Sequence, residues 1–110
     1  LRARDERKKE SKEALRAVIK ASRKTTLYLR HLREGEGKSL EKEEELSLLW
    51  TELSFRVKDL KLGKLAERCH LMGQYWAAPT LLDPTFLNRA LERLKEVEEL
   101  ASTSLEQITG

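Results

Sequence analysis

Apolar residues recur at intervals of three and four along most of the chain, the spacing of one face of an α-helix. Four such stripes cover residues 14–32, 46–60, 65–76 and 87–108. No segment alternates between apolar and polar residues as a half-buried strand does. The pattern therefore predicts four amphipathic helices and no sheet.

Turn and capping residues separate the four stripes. Gly35-Glu36-Gly37 ends the first helix and offers glycine for a left-handed cap, and Ser39 is the expected N-cap of the second. Leu62-Gly63 predicts the break before the third helix, which Pro79 ends. Asp83-Pro84 starts the fourth, because Asp caps helices and Pro lacks the N–H that is unpaired at the first helical position.

Short connections between the helices imply antiparallel neighbours. The sequence thus predicts an all-α fold, an antiparallel four-helix bundle with a short third helix, as one domain over residues 1–110. Residues 1–12 are almost all charged and are expected to be a frayed or disordered lead-in. One contiguous core is predicted from twelve side chains: Leu15, Leu29, Leu49, Trp50, Leu53, Leu65, Cys69, Met72, Trp76, Leu91, Leu94 and Val97.

The third stripe, residues 65–76, holds the only Cys and the only Met of the chain. We interpret it as a short central helix against which the three longer helices pack. Gly73 lies in its middle, where glycine costs about 1 kcal/mol relative to alanine. That cost predicts that another backbone approaches closely at this position.

Candidate chemistry is sparse. Cys69 and His70 diverge by about 100° on a helix, which favours a buried structural cysteine beside an exposed histidine over a metal ligand pair. The carboxylates in 41–45 and 96–99 are expected to lie on solvated faces. Nucleophile-elbow, phosphate-loop and H-E-x-x-H motifs are missing from the sequence. We therefore expect no enzyme, no catalytic or metal-binding residue, no cofactor and no small-molecule ligand.

The net charge of +3 is unevenly distributed, since residues 1–34 carry +7 while residues 35–59 and 83–110 carry −3 each. Three roles are open for the basic residues of the first helix. They could pack the helix between two acidic helices, contact phosphates, or bind an acidic protein. The candidates for phosphate contacts are Arg16, Lys20, Arg23, Lys24 and Arg30.

Some apolar residues fall outside the stripe of their own helix. Leu48 and Phe55 lie seven residues apart on the far side of the second helix, and Leu27 lies off the stripe of the first. They predict a seam for a protein partner or another copy of the chain. The alternative is that the second helix is the most buried helix of an asymmetric bundle.

These features predict a non-catalytic helical module for protein–protein interaction or oligomerisation, such as a small accessory or regulatory subunit. The alternative is an accessory domain that binds nucleic acid through its basic first helix. A single cysteine is compatible with a reducing compartment, and no apolar run approaches the roughly 20 residues that span a bilayer. The expected location is cytoplasmic, without membrane association.

Overall fold

The computed structural model describes residues 2–79 and 84–109 of the chain. It is 89% helical and contains four α-helices: α1 (Arg2–Arg33), α2 (Leu40–Asp59), α3 (Gly63–Ala77) and α4 (Pro84–Thr109). Within those two ranges there is no strand. The predicted all-α fold with a short third helix is confirmed.

The helices form an elongated antiparallel bundle of 51 × 22 × 19 Å. The most extensive contacts join α2 to α3 and α1 to α4, a smaller contact joins α1 to α2, and the smallest joins α3 to α4. The expectation that α3 is central is wrong. It lies at a corner of the bundle, packed mainly on α2 and only slightly on α4.

The first third of α1 lies along the solvent. The helix begins at Arg2, and every residue from there to Glu10 is exposed, so the bundle proper starts near Ser11. At about 1.5 Å per residue, the 32 residues of α1 account for most of the long dimension. Because this end makes no core contacts, fraying in solution stays our prediction for it.

The turn between α1 and α2 has the predicted caps. Gly35 takes the left-handed conformation (φ 85°), and the N–H groups of Gly35 and Glu36 donate to the carbonyls of Leu32 and His31. These are the two bonds of a Schellman motif. Ser39 then caps α2, because its hydroxyl accepts the N–H of Lys42 at 3.2 Å.

The turn between α2 and α3 differs from the prediction in one detail. The left-handed residue there is Lys61 (φ 65°), followed by a bond from the Leu62 N–H to the Val57 carbonyl. Gly63 is instead the first residue of α3. The predicted cap of α4 at Asp83 lies outside the described residues.

The core forms one contiguous cluster, as predicted. Of the twelve predicted side chains, ten are buried, while Leu49 and Leu91 are half-buried and pack against the cluster. Trp50 lies at its centre and donates its ring N–H to Thr25 Oγ1 at 2.9 Å. Thr25 in turn donates to the Ala21 carbonyl, so this buried polar pair is internally satisfied.

Gly73 marks the close crossing of α2 and α3. Its carbonyl accepts the hydroxyl of Ser47 at 2.8 Å. A Cβ at Gly73 would clash with Thr51 Oγ1 and lie 3.2 Å from both the Ser47 carbonyl oxygen and the Thr51 nitrogen. The predicted close approach of a second backbone is therefore confirmed.

Candidate functional site

The outward face of α2 carries the predicted seam. Leu48 is 63% exposed and Phe55 is 56% exposed, although both are large apolar side chains. At 100° per residue they lie opposite the buried stripe of this helix, so the core of the same chain cannot cover them. We define the outward face of α2 as the residues within about 80° of arc around them: Glu41, Glu44, Leu48, Glu52, Phe55 and Asp59.

Every charged side chain on this outward face is acidic. All four are exposed, and none of them forms an ion pair with another residue that the structure describes. The acids of α2 that do form ion pairs, Glu43 and Glu45, lie off this face. The apolar pair is thus surrounded by acidic side chains that form no ion pair within residues 2–79 and 84–109.

Two grooves run along the flanks of α2. Phe55 forms one wall of a groove of about 370 Å³ between α2 and α3, with Gly63 and Ala66 on the α3 side. Leu27 lines a separate groove of about 180 Å³ between α1 and α2, beside Tyr28 and Leu46. Leu27 is 53% exposed. The structure therefore brings Leu48 and Phe55 together on one face but places Leu27 in a different groove.

The five candidate phosphate contacts of α1 are all exposed. Arg23 lies 3.3 Å from Glu98 of α4, and Lys24 lies 3.4 Å from Glu45 of α2. Arg30 pairs with Glu34 in its own turn at 3.0 Å. For Arg16 and Lys20, the described part of the chain supplies no ion-pair partner. The first helix thus makes charge pairs to both acidic neighbours and keeps further basic residues free.

Four of these five basic residues, all except Lys24, belong to a longer stripe along α1 that also includes residues upstream of Arg16. At 100° per residue, seven basic residues fall within about 80° of arc, opposite the buried face of α1. We call this arc the outward face of α1: Arg2, Asp5, Lys9, Lys12, Arg16, Lys20, Arg23, Leu27 and Arg30. The signal was a basic residue at each heptad step from Arg2 to Arg30, a distance of about 42 Å along the helix.

The run of glutamates in α2 is not uniformly solvated, and for Glu43 the prediction is wrong. Its side chain is buried with 2% exposure. The residue lies on the same helical face as Leu46 and Trp50, three and seven residues later, so it points into the bundle. A carboxylate held there needs partners, because burying an unpaired charge is costly.

Tyr28 is the principal partner of this buried carboxylate. Its hydroxyl donates to Glu43 Oε2 at 2.6 Å and accepts the N–H of Ser39 at 3.0 Å. Burial and the bond to Glu43 raise the pKa of Tyr28 to about 12. The Lys38 ammonium lies 3.8 Å from Glu43 Oε1. The cluster fastens the start of α2 to α1, and we interpret it as structural because the Glu43 carboxylate and the Tyr28 ring are buried.

Cys69 and His70 diverge as predicted. The thiol is fully buried, and burial raises the pKa of Cys69 to about 12, so it is a poor nucleophile near neutral pH. His70 is exposed on the groove between α2 and α3. Among residues 2–79 and 84–109, no three His, Cys, Asp or Glu residues are grouped closely enough to hold a metal ion.

A further groove, of about 480 Å³, separates α3 from α4. Leu71, Met72 and Val97 form its apolar lining. Arg68 and Glu96 form an ion pair between the two helices with 2.6 Å between Nη1 and Oε2. The groove follows from the slight contact between α3 and α4 and brings no nucleophile together with a base.

Comparisons of sequence and structure relate the chain to no protein family, no curated protein and no solved structure. Across the described helices, none combines the length and the apolar character that crossing a membrane requires.

Proposed function

We propose that this chain is a non-catalytic helical module that binds a protein partner or another copy of itself through the outward face of α2. The observation that carries the proposal is the exposure of Leu48 and Phe55 on the side of α2 that faces away from the core. A role as a small accessory or regulatory subunit in the cytoplasm fits a module of this kind.

Burial of the outward face of α2 against a partner would be energetically favourable. Burying a phenylalanine or leucine side chain contributes roughly 1.5–3 kcal/mol, and this face leaves one of each more than half exposed. An apolar centre within a polar rim is also the usual anatomy of a protein–protein interface. Leu48 and Phe55 supply the centre, and the four acidic residues supply the rim.

Nucleic-acid binding through α1 is the second candidate, supported by the basic stripe on its outward face. Such binding would weaken steeply with salt, because phosphate contacts release counterions. Charge reversal of Lys20, Arg23 and Lys24 would remove it. Two of these three residues, Arg23 and Lys24, already form ion pairs with neighbouring helices, so a packing role accounts for part of the positive charge of α1.

The experiment compares the molar mass in solution, alone and with any captured partner, for the parent chain, Leu48→Asp and Phe55→Asp. A matched control is Leu71→Asp, which places the same charge at a 45% exposed leucine of α3. We expect both α2 variants to lose association and the control to keep it. Association that survives Phe55→Asp, or loss of association in the control alone, would contradict the proposal.

A further inference from the structure

Two outward faces of this bundle are complementary in charge. The outward face of α2 carries four acidic residues and no basic one around Leu48 and Phe55. The outward face of α1 carries seven basic residues and one acidic residue around a single exposed leucine, Leu27. Both faces point away from the core of the same chain, so neither can contact the other within one molecule.

We propose that the partner of the α2 face is a second copy of this chain, which docks through the outward face of α1. Leu27 of one copy inserts between Leu48 and Phe55 of the next, and the surrounding arginines and lysines meet the acidic rim. This inference rests on the proposed function, because it names the occupant of the same surface.

The spacing along the two helices supports this arrangement. Leu48 and Phe55 are about 10.5 Å apart along the axis of α2, which leaves room for one side chain between them. If Leu27 sits midway and the two helices run parallel, Arg16 and Lys20 come level with Glu41 and Glu44. Arg30 comes level with Phe55, where a guanidinium can stack on the ring. The antiparallel orientation brings fewer of these charges together.

A symmetric contact of the α2 face with itself is disfavoured by the same charges. In such a dimer, four acids of one copy would face four acids of the other, and like charges across an interface are repulsive. A symmetric contact of the outward face of α1 with itself is disfavoured in the same way, because basic residues of one copy would face basic residues of the other. The contact is therefore heterologous, and its repetition generates a ring or an open filament rather than a closed dimer.

The existing ion pairs of α1 do not block this contact. Arg23 and Arg30 pair with Glu98 and Glu34 at the surface, with 74% and 67% of their own side chains exposed. Such surface pairs contribute little and exchange readily. Arg16 and Lys20, the two residues that meet the acidic rim in the parallel register, have no such pair in the described structure.

The test uses two variants that each lose one face, with molar mass measured by sedimentation equilibrium. Phe55→Asp disrupts the outward face of α2 by placing a charge in its apolar centre. The double variant Arg16→Glu/Lys20→Glu disrupts the outward face of α1 by reversing two of its charges. Each alone should be monomeric. Mixed in equal amounts they should form a one-to-one complex, because each supplies the face that the other lacks. The control, Lys64→Glu/Lys95→Glu, makes the same charge change elsewhere and should associate like the parent.

Salt gives an independent measurement on the parent. Raising ionic strength from about 0.01 M to about 1 M shortens the screening length from about 30 Å to about 3 Å. The association constant of the parent chain for itself should fall by at least about tenfold over that range. Association that strengthens with salt would mean a purely apolar contact and would overturn the inference.

The outcomes separate this inference from the proposed function. If the α1 double variant associates like the parent while Phe55→Asp does not, the α2 face is an interface but its occupant is not the α1 face. A parent that is monomeric at low salt also overturns the inference, and the melting temperature of Phe55→Asp then decides the proposed function. If the α1 face instead binds duplex nucleic acid and no second copy, the inference is wrong.

Discussion

The hydroxyl of Tyr28 lies 2.6 Å from Oε2 of Glu43, and the two residues join the last turns of α1 to the first turn of α2. The ring of Tyr28 also packs edge-on against Trp76, with centroids 5.6 Å apart, so one side chain links three helices. Tyr28 thus supplies the hydrogen bond to Oε2 of the buried carboxylate, while the Lys38 ammonium lies 3.8 Å from Oε1.

Tyr28→Phe should therefore destabilise the fold by about 1.5–3 kcal/mol, since it leaves a buried charged group short of its donor. The measurement is the free energy of unfolding in urea. Combining Tyr28→Phe with Glu43→Leu should recover part of the loss, because it removes both partners together. A Tyr28→Phe variant as stable as the parent would show that the hydrogen bond contributes nothing.

Gly73→Ala should also be destabilising, although alanine is the better helix former by about 1 kcal/mol. The added methyl group meets Thr51 and the backbone of Ser47, and the two helices must separate to accept it. Gly63→Ala is the matched control, because nothing lies within 4 Å of a Cβ there. Thermal melting of both variants checks this, and an increase in melting temperature for Gly73→Ala would refute the close crossing.

Stability should fall in alkaline solution. Burial raises the pKa of Cys69 from 9.0, and of Tyr28 and Tyr75 from 10.0, to about 12 in each case. The folded state thus favours the protonated forms, and this contribution is present below the ordinary pKa values and is lost as pH rises towards 12. Urea unfolding at intervals between pH 8 and pH 11 should show a decline that begins near the ordinary pKa of the thiol. Cys69→Ala should delay the decline, whereas a constant free energy of unfolding up to pH 11 would contradict the assignment.

Much of this structure follows from local signals. The phase of the apolar residues in α2 is enough to place Leu48 and Phe55 opposite Leu53, and Gly35 and Ser39 cap their helices as short-range chemistry dictates. Glu43 belongs to an acidic run, which predicts a solvated face, but its phase matches that of the buried Leu46 and Trp50. Its burial depends on Tyr28, fifteen residues earlier, and pairing at that distance is not visible in helical periodicity.

The left-handed Lys61 was also beyond local reasoning. Glycine is the usual residue in that conformation, whereas this position holds a lysine. The turn is closed by backbone hydrogen bonds from the N–H groups of Lys61 and Leu62 to the carbonyls of Lys58 and Val57. The corner position of α3 could not be predicted from the sequence either. Helical periodicity shows which face of a helix is buried but not which neighbouring helix covers that face.

The most direct test of the α2 interface is the melting temperature of Phe55→Asp beside that of Leu53→Asp. The two residues are neighbours on one helix, but Leu53 is 4% exposed in the core and Phe55 is 56% exposed on the outward face. With both variants examined at concentrations where the parent is monomeric, we predict that Phe55→Asp melts within about 4 °C of the parent, as expected for a surface change. Leu53→Asp should unfold or melt far lower, because it buries an unpaired charge. A comparable drop for both would show that Phe55 belongs to the core and would contradict the account of α2 as a binding surface.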